Sequence, residues 1–122
     1  MPGEALLSDA WLESCNAALR TLEVAPGTSL VVTEIVTGAP AGLHGSITLV
    51  ADVDGVRLVT GDDDAASAWI TLGIGDAEAL HEGRLNAARA LTEGRIRVRG
   101  DLRAVVDAGA LLAQAHDVMR ER

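Results

Sequence analysis

The sequence is short of several residue types, and each shortage excludes a class of protein. Its 122 residues include no Phe, no Tyr and no Lys, one Cys and two Trp. A single cysteine cannot form an internal disulfide, and Cys15 has no partner at metal-ligand spacing, so it is expected to be a small buried residue. No apolar run approaches the roughly 18 residues that span a bilayer, so stable membrane insertion is not expected.

Positive charge is also scarce. The formal net charge is −8, and all 10 basic residues are arginine. This balance argues against nucleic acid as a partner, because neutralising phosphates needs a basic surface. It argues equally against electrostatic docking on anionic lipid. The first residues show no basic segment followed by an apolar one, so a cytoplasmic location is expected.

The shortage of aromatic rings affects the core. Residues 1–122 are expected to form a single domain, long enough to bury about two-thirds of the surface of the unfolded chain. Without Phe and Tyr the core must be built from Leu, Val, Ile and many Ala. Small side chains can pack tightly, or they can leave a cavity, and composition favours neither outcome.

Hydrophobic periodicity predicts one helix, four strands, two short helices, a fifth strand and a long helix. Ser8 is expected to cap the first helix, which runs to about Leu22 and carries Trp11 as a core residue. The five strands are expected at 29–37, 44–53, 56–60, 67–74 and 95–99. An antiparallel sheet with helices packed on one face satisfies this order, so the predicted class is α+β.

Glycines and capping residues divide the second half of the chain. Asp76 is expected to cap a helix that stops at Gly83, and Asn86 a helix that stops at Gly94. Asp101 then opens the final helix. The apolar stripe predicted for that helix consists of Leu102, Val105, Val106, Gly109, Leu112, Ala113, His116 and Met119.

The sequence offers little for catalysis or metal binding. His44, His81 and His116 lie in three separate predicted elements, without carboxylate or thiol at ligand spacing, so each is expected at a surface or edge and no metal site is predicted. The segment from Asp52 to Gly55 imitates the opening of a calcium loop but lacks its later ligands. Carboxylates are expected at turns and caps, and no Tyr is present as an oxyanion donor. No catalytic residue and no cofactor are predicted.

A family resemblance lies in the stretch 72–102. Its pattern is a helix ending at Gly83, then Leu85-x-x-Ala88-x-Ala90-Leu91-x-x-Gly94, then Ile96-x-Val98-x-Gly100-Asp101. This resembles the C-terminal half of the sterol-carrier-protein domain, type two, and the element order agrees over nearly the whole chain. The resemblance implies a five-stranded, mostly antiparallel sheet, helices on one face, and an apolar tunnel between the two layers.

The resemblance also implies a function. It predicts a non-catalytic carrier whose partner is an apolar small molecule: a lipid, a sterol, a fatty acid or a fatty-acyl chain. The side chains expected to line the tunnel are Leu49, Ile70, Leu72, Leu80, Leu85, Leu91, Ile96, Val98, Leu102, Val105, Val106 and Leu112.

Two alternatives remain open. If the fourth and fifth strands pair as in the family, Trp69, Arg95, Arg97 and Arg99 share the outer face of the sheet. This face is a possible partner surface of a ligand-free interaction or dimerisation module, because an exposed Trp often marks an interface. It is equally compatible with a solvated, arginine-rich face. The other alternative is a small enzyme acting on an apolar substrate.

Overall fold

The computed structural model describes residues 5–121. Residues 1–4 and residue 122 lie outside the described residues. The expectation about a leader segment rests partly on residues 1–4. The elements are α1 (Asp9–Leu19), β1 (Leu30–Thr37), β2 (Ser46–Asp52), β3 (Gly55–Thr60), β4 (Ala68–Gly73), α2 (Ile74–His81), α3 (Ala87–Thr92), β5 (Ile96–Gly100) and α4 (Leu102–Arg120). The predicted order of elements is confirmed.

The five strands form one mixed sheet in the order β3-β2-β1-β4-β5. β1 and β4 run parallel, and the other neighbouring pairs are antiparallel. The predicted mostly antiparallel sheet is therefore confirmed, as is the pairing of the fourth and fifth strands. β2 and β3 form a hairpin in which Asp52 pairs with Gly55.

Strand alternation gives the sheet an inner and an outer face. Leu30, Val32, Glu34 and Val36 of β1 point to the inner face and are buried. α4 packs against β1, β4 and β5, and α1 packs against β3 and α4. The smaller helices lie at the sides, with α2 against β1, β4 and α4, and α3 against β5. The apolar core therefore lies between the inner face and α1 and α4.

α1 also covers an edge of the sheet. The Asn16 amide nitrogen donates to the carbonyl of Leu58, at 3.0 Å, and the Leu58 N–H donates to the Asn16 side-chain oxygen, at 2.7 Å. These bonds pair backbone groups on edge strand β3 that would otherwise face outward. Ser8 caps the helix, and Trp11 and Cys15 are buried, as the sequence predicts.

The chain crosses the outer face between β3 and β4. Thr48 donates to the carbonyl of Gly61 at 2.8 Å, and the indole N–H of Trp69 donates to Asp62 at 3.0 Å. Residues 61–67, which we call the acidic crossover, therefore lie over the outer face. Thr33 and Thr48 beneath the crossover are fully buried, with hydroxyl oxygens 2.8 Å apart.

Gly100 is the position where a glycine is required. Its φ is +93°, and a Cβ there would lie 2.4 Å from the carbonyl oxygen of Ser67. That carbonyl accepts from the N–H of Asp101 at 3.0 Å, so the end of the acidic crossover meets the start of α4. Asp101 is the N-cap of α4, so the helix opens at the residue where the sequence predicts its start.

One predicted cap is wrong. α2 begins at Ile74 with Gly73 as its N-cap, so Asp76 lies inside the first turn. Asp76 instead binds Arg95, with Oδ1 2.7 Å from Nη2. Within residues 5–121, no helix is long and apolar enough to cross a membrane.

Candidate functional site

The residues predicted to line a tunnel differ in exposure. Leu49, Ile70, Leu72, Leu85, Ile96 and Val105 are buried. Leu80, Val98 and Leu112 are half-buried and pack against the same core. Leu91, Leu102 and Val106 are 36%, 49% and 63% exposed.

The exposure of Leu91, Leu102 and Val106 does not fit the lining role predicted for them. α4 buries Ala104, Val105 and Ala108 against the rest of the protein and turns Leu102 and Val106 to solvent. Small side chains on the buried side allow the helix to approach the sheet closely. Leu91, Leu102 and Val106 therefore do not enclose the interior in this structure, while the lining role of the other residues stays a prediction.

The inner face also carries a buried charged pair that the sequence did not predict. Glu34, in the middle of β1, is 6% exposed, and His81, in the last turn of α2, is 7% exposed. The Nε2 atom of His81 lies 3.0 Å from Oε2 and 3.2 Å from Oε1 of Glu34. The Nδ1 atom of His81 is buried and has no hydrogen-bond partner among the described residues.

Two further rings enclose the imidazole of His81. The indole of Trp11 meets it edge to face, with centroids 5.3 Å apart and an interplanar angle of 89°. The imidazole of His116 on α4 lies 5.2 Å from it, and 6.4 Å from Trp11. β1, α1, α2 and α4 thus each contribute one side chain, and we call Trp11, Glu34, His81 and His116 the inner polar cluster.

The cluster shifts the pKa values of its two histidines in opposite directions. Burial by itself would lower the pKa of His81, but the charge of Glu34 and the hydrogen bond to it raise that pKa above its ordinary value. Burial, followed by the charge of His81, lowers the pKa of His116 to about 4. At neutral pH His116 is therefore uncharged.

Cys15 is no nucleophile in this setting. Burial, and then the charge of Glu34, raises the pKa of the Cys15 thiol to about 12. Because the thiolate is the reactive form, a thiol that stays protonated at neutral pH is inert. Cys15 is therefore not expected to form a covalent bond with a ligand. The chemistry that the cluster offers is a hydrogen bond at His81.

The expectation that all three histidines lie at a surface or edge is wrong for His81, and His116 is half-buried. His44 does lie at the surface, with Nε2 2.7 Å from Oδ1 of Asp9. Glu34 was also missed, because carboxylates were expected at turns and caps. A signal was present: strand alternation places Glu34 on the same face as Val32 and Val36.

The predicted partner face is only partly assembled. Trp69 is half-buried under Arg99, whose guanidinium carbon lies 4.5 Å from the ring centroid, and its indole N–H is bound to Asp62. Arg97 lies in β5, paired with Thr71. Arg95 precedes β5 and reaches α2 instead, so it does not belong to this face. Asp62 of the acidic crossover lies beside Trp69 on the same face.

Among the described residues the structure shows no metal site, and a surface depression is lined by residues other than those of the inner polar cluster. Among residues 5–121 no group of three or more His, Cys, Asp or Glu side chains could hold a metal ion. Asp52, of the calcium-like segment, binds Arg57 through both carboxylate oxygens at 3.1 Å. A depression of about 370 Å³ lies between the loop 22–28 and the β2–β3 turn, away from the predicted lining residues.

The fold is shared with several solved structures. A protein from Thermus thermophilus described as possibly a sterol carrier protein is 20% identical, with a TM-score of 0.66, 99% of this chain and 92% of that chain being covered. The apo form of sterol carrier protein 2 from Yarrowia lipolytica is 18% identical, with a TM-score of 0.63 and coverages of 94% and 96%. Palmitated SCP2L2 from Aedes aegypti is 18% identical, with a TM-score of 0.60 and coverages of 82% and 88%.

Sequence comparison identifies the family. No curated protein matches this chain. The model of the SCP-2 sterol transfer family, however, matches residues 31–113, which include all of the sheet except the first residue of β1, and the buried positions of the first half of α4. This match covers more than half of the chain and agrees with the shared fold, so the chain belongs to the SCP-2 sterol transfer family.

Proposed function

We propose that this protein carries one apolar molecule, a lipid or a sterol, between the inner face of the sheet and helices α1 and α4. The observation that carries the proposal is membership of a sterol transfer family through a match over residues 31–113. The solved relatives support it, since one of them is described as palmitated. The carrier acts without a cofactor and without stable membrane insertion.

The composition of the core supports an interior in which the sheet and the helices can move apart to admit a ligand. Most of the predicted lining residues meet in one apolar cluster, together with the buried alanines Ala68, Ala77, Ala79, Ala90, Ala104, Ala108 and Ala115. A ligand that hides about 400 Å² of apolar surface gains roughly 10 kcal/mol at about 25 cal/mol per Å². That gain exceeds association costs of several kcal/mol.

Binding without turnover is part of the proposal. The thiol of Cys15 stays protonated, with a pKa of about 12, so it does not attack a bound ester or thioester. One observation, the dyad of Glu34 and His81, favours the alternative that the protein is an enzyme acting on an apolar substrate. A carboxylate-bound imidazole is a general base in many active sites. Mass spectrometry of the ligand recovered after incubation separates the two, since a carrier returns it unchanged.

The carrier is tested by titrating delipidated protein with a fluorescent sterol and a fluorescent fatty acid. The matched variants are Ala108→Leu, which adds volume on the buried side of α4, and Ala110→Leu, which adds the same atoms on its exposed side. We expect saturable binding that Ala108→Leu weakens and Ala110→Leu leaves unchanged. If neither ligand class binds, and native mass spectrometry of freshly purified protein shows no added mass, the carrier proposal is wrong.

The proposal also includes a single domain over residues 1–122 and a cytoplasmic location. It further includes a homodimer or a protein partner on the outer face. Arg97, Arg99 and the half-buried Trp69 support such a partner surface, although Asp62 already satisfies the indole N–H. Sedimentation of the full chain at high concentration tests self-association. A strict monomer would remove the homodimer.

A further inference from the structure

The inner polar cluster contains the polar group best placed to meet a ligand. Across residues 5–121 the buried polar or charged residues are Thr33, Glu34, Thr48 and His81. The two threonines point to the outer face and bond to each other and to Gly61. Glu34 and His81 therefore supply the buried polar atoms on the side of the sheet where the proposed ligand binds.

His81 uses one ring nitrogen and leaves the other one free. Nε2 faces both carboxylate oxygens of Glu34, at 3.0 and 3.2 Å. Nδ1 is buried and without a partner in the described part of the chain. Native proteins pair nearly all buried polar atoms, so an unpaired one in a binding layer indicates a place for a ligand's hydrogen bond. Glu34 fixes the orientation of the ring.

The protonation of His81 selects the chemical group that fits. In the neutral ring Nε2–H donates to Glu34, and Nδ1 can only accept; in the imidazolium, Nδ1–H can only donate. Glu34 raises the pKa of His81 above its ordinary value, which favours the imidazolium. A hydroxyl group both donates and accepts, and it therefore satisfies Nδ1 in either form.

A carboxylate fits less well. It can accept from Nδ1–H of the imidazolium, but it must lose its own hydration on entering the apolar layer, and it leaves the cluster with a net negative charge beside Glu34. In surroundings of low polarity two carboxylates at short distance repel strongly. A plain hydrocarbon leaves Nδ1 unpaired.

We propose that Nδ1 of His81, oriented by Glu34, binds the hydroxyl group of an apolar alcohol, and that this pair makes the carrier prefer alcohols to fatty acids of equal length. The inference rests on the proposed carrier function and specifies which end group the carrier recognises. His81 contacts the ligand, and Glu34 is a positioning residue.

The test uses the full chain and three probes of equal length: decan-1-ol, decanoate and decane. Each competes with diphenylhexatriene, a neutral fluorescent hydrocarbon whose own binding tests the carrier without involving a hydroxyl group. We expect decan-1-ol to bind about tenfold more tightly than decane, the value of one good buried hydrogen bond. Decanoate should bind more weakly than decan-1-ol. NMR of the histidine ring nitrogens should show Nδ1 of His81 shifting with decan-1-ol but not with decane.

Two variants separate recognition from folding. The double variant Glu34→Leu with His81→Leu removes the pair as a unit, so no lone charge stays buried, and it should bind decan-1-ol and decane alike. Glu34→Gln keeps the shape and can still accept from Nε2–H, so it should keep the preference for decan-1-ol over decane. Loss of that preference in the double variant, together with its retention in Glu34→Gln, would not follow from a purely structural role of the pair.

The outcomes are distinguishable. If diphenylhexatriene binds but decan-1-ol and decane compete equally, or if the double variant keeps the preference for the alcohol, the hydroxyl site is wrong and the carrier stands. If Glu34→Gln loses the preference for the alcohol, the orienting hydrogen bond assigned to Glu34 is wrong. If none of the four apolar probes binds, the carrier proposal and this inference both fail.

Discussion

The two faces of the sheet bury polar groups in different ways. On the outer face Thr33 and Thr48 have hydroxyl oxygens 2.8 Å apart, and Thr48 donates onward to the carbonyl of Gly61. On the inner face the pair of Glu34 and His81 is also buried, but Nδ1 of His81 has no partner within the described residues. The outer group is complete by itself, whereas the inner group is not.

This difference distinguishes a polar group whose hydrogen bonds are complete from one that still has an unpaired atom. A satisfied buried network fixes the position of the elements it joins, and the threonines join β1, β2 and the acidic crossover in this way. A carboxylate and an imidazole in an apolar layer cost desolvation energy that packed hydrophobic residues would not. The inner pair is therefore weak evidence for stability, and its unpaired nitrogen is the observation on which the proposed hydroxyl site rests.

Removing one partner of the inner pair should have the largest effect. His81→Leu leaves Glu34 buried and unpaired, which should lower the free energy of unfolding by about 3–5 kcal/mol in urea denaturation. Adding Glu34→Leu to this variant should recover most of the loss, since two apolar side chains replace the charged pair. A single variant as stable as the original protein would contradict the ionic character of the pair.

A side chain at Gly100 should have the next largest effect. Gly100→Ala places a methyl group 2.4 Å from the carbonyl oxygen of Ser67 at φ +93°, and the backbone must move at a cost of about 2–4 kcal/mol. Gly27→Ala is the control, because Gly27 has φ +81° with nothing within 4 Å of the added carbon. It should cost about 1 kcal/mol. Equal losses in the two variants would show that the close contact does not matter.

Breaking the outer network should cost less than breaking the inner pair. Thr48→Val leaves the buried hydroxyl of Thr33 and the carbonyl of Gly61 without partners, and it should lower the free energy of unfolding by about 1–3 kcal/mol. Thr33→Val removes one bond but leaves Thr48 bound to Gly61, so its loss should be the smaller one. The reverse order would mean that the bond to Gly61 is weak.

The smallest effect concerns pH. The pKa of His116 falls from 6.5 to about 4 on folding, so below 6.5 the unfolded chain binds more protons and stability is lost as the pH falls towards 4. For this half-buried ring the loss is on the order of 1–2 kcal/mol after allowance for solvent screening. The raised pKa of His81 acts in the opposite sense, since its contribution is present at low pH and is lost as the pH rises.

The measurement is urea denaturation of His116→Gln at a series of pH values. The variant should lose less stability between pH 6.5 and pH 4 than the original protein. Ala113→Gln, which alters an exposed position of the same helix without changing a titratable group, serves as the control and should follow the original protein. Identical pH profiles for the original protein and His116→Gln would exclude the assigned role.

Local sequence was sufficient to predict the order of elements. Asn86 and Asp101 cap the helices predicted for them, and Gly83 and Gly94 adopt φ +78° and +74° after the two short helices. These signals act within a few residues, so they need no knowledge of the fold. Asp76 was assigned wrongly because its partner, Arg95, comes from a distant part of the chain.

The inner polar cluster was not predictable in the same way. His81 is the last residue of an eight-residue helix, too short for periodicity to indicate which side is buried. His116 was placed correctly on the apolar stripe of α4, but its neighbours Trp11 and His81 come from other elements. The position of Glu34 among inward-facing valines was the available signal, and its meaning depended on finding an imidazole opposite.

The buried side of α4 was predicted only in part. The stripe was defined by the larger apolar residues, including Leu102 and Val106, which are exposed. The helix instead buries Ala104, Val105, Ala108 and Ala115. In a helix rich in alanine, close approach of the backbone can outweigh the size of individual side chains, so the most apolar stripe is not necessarily the most buried one.

The parallel pair at the centre of the sheet determines the order in which the chain can fold. β2 and β3 are joined by a turn at Val53 and Asp54, so these two strands can pair early. β1 and β4, which pair Val32 with Ala68, can meet only after the hairpin and the acidic crossover bring β4 back beside β1. Closing that long loop costs chain entropy before any contact is made, and such pairings slow folding. The docking of β4 against β1 is therefore the expected slow step, and the inner face of the sheet is incomplete before it.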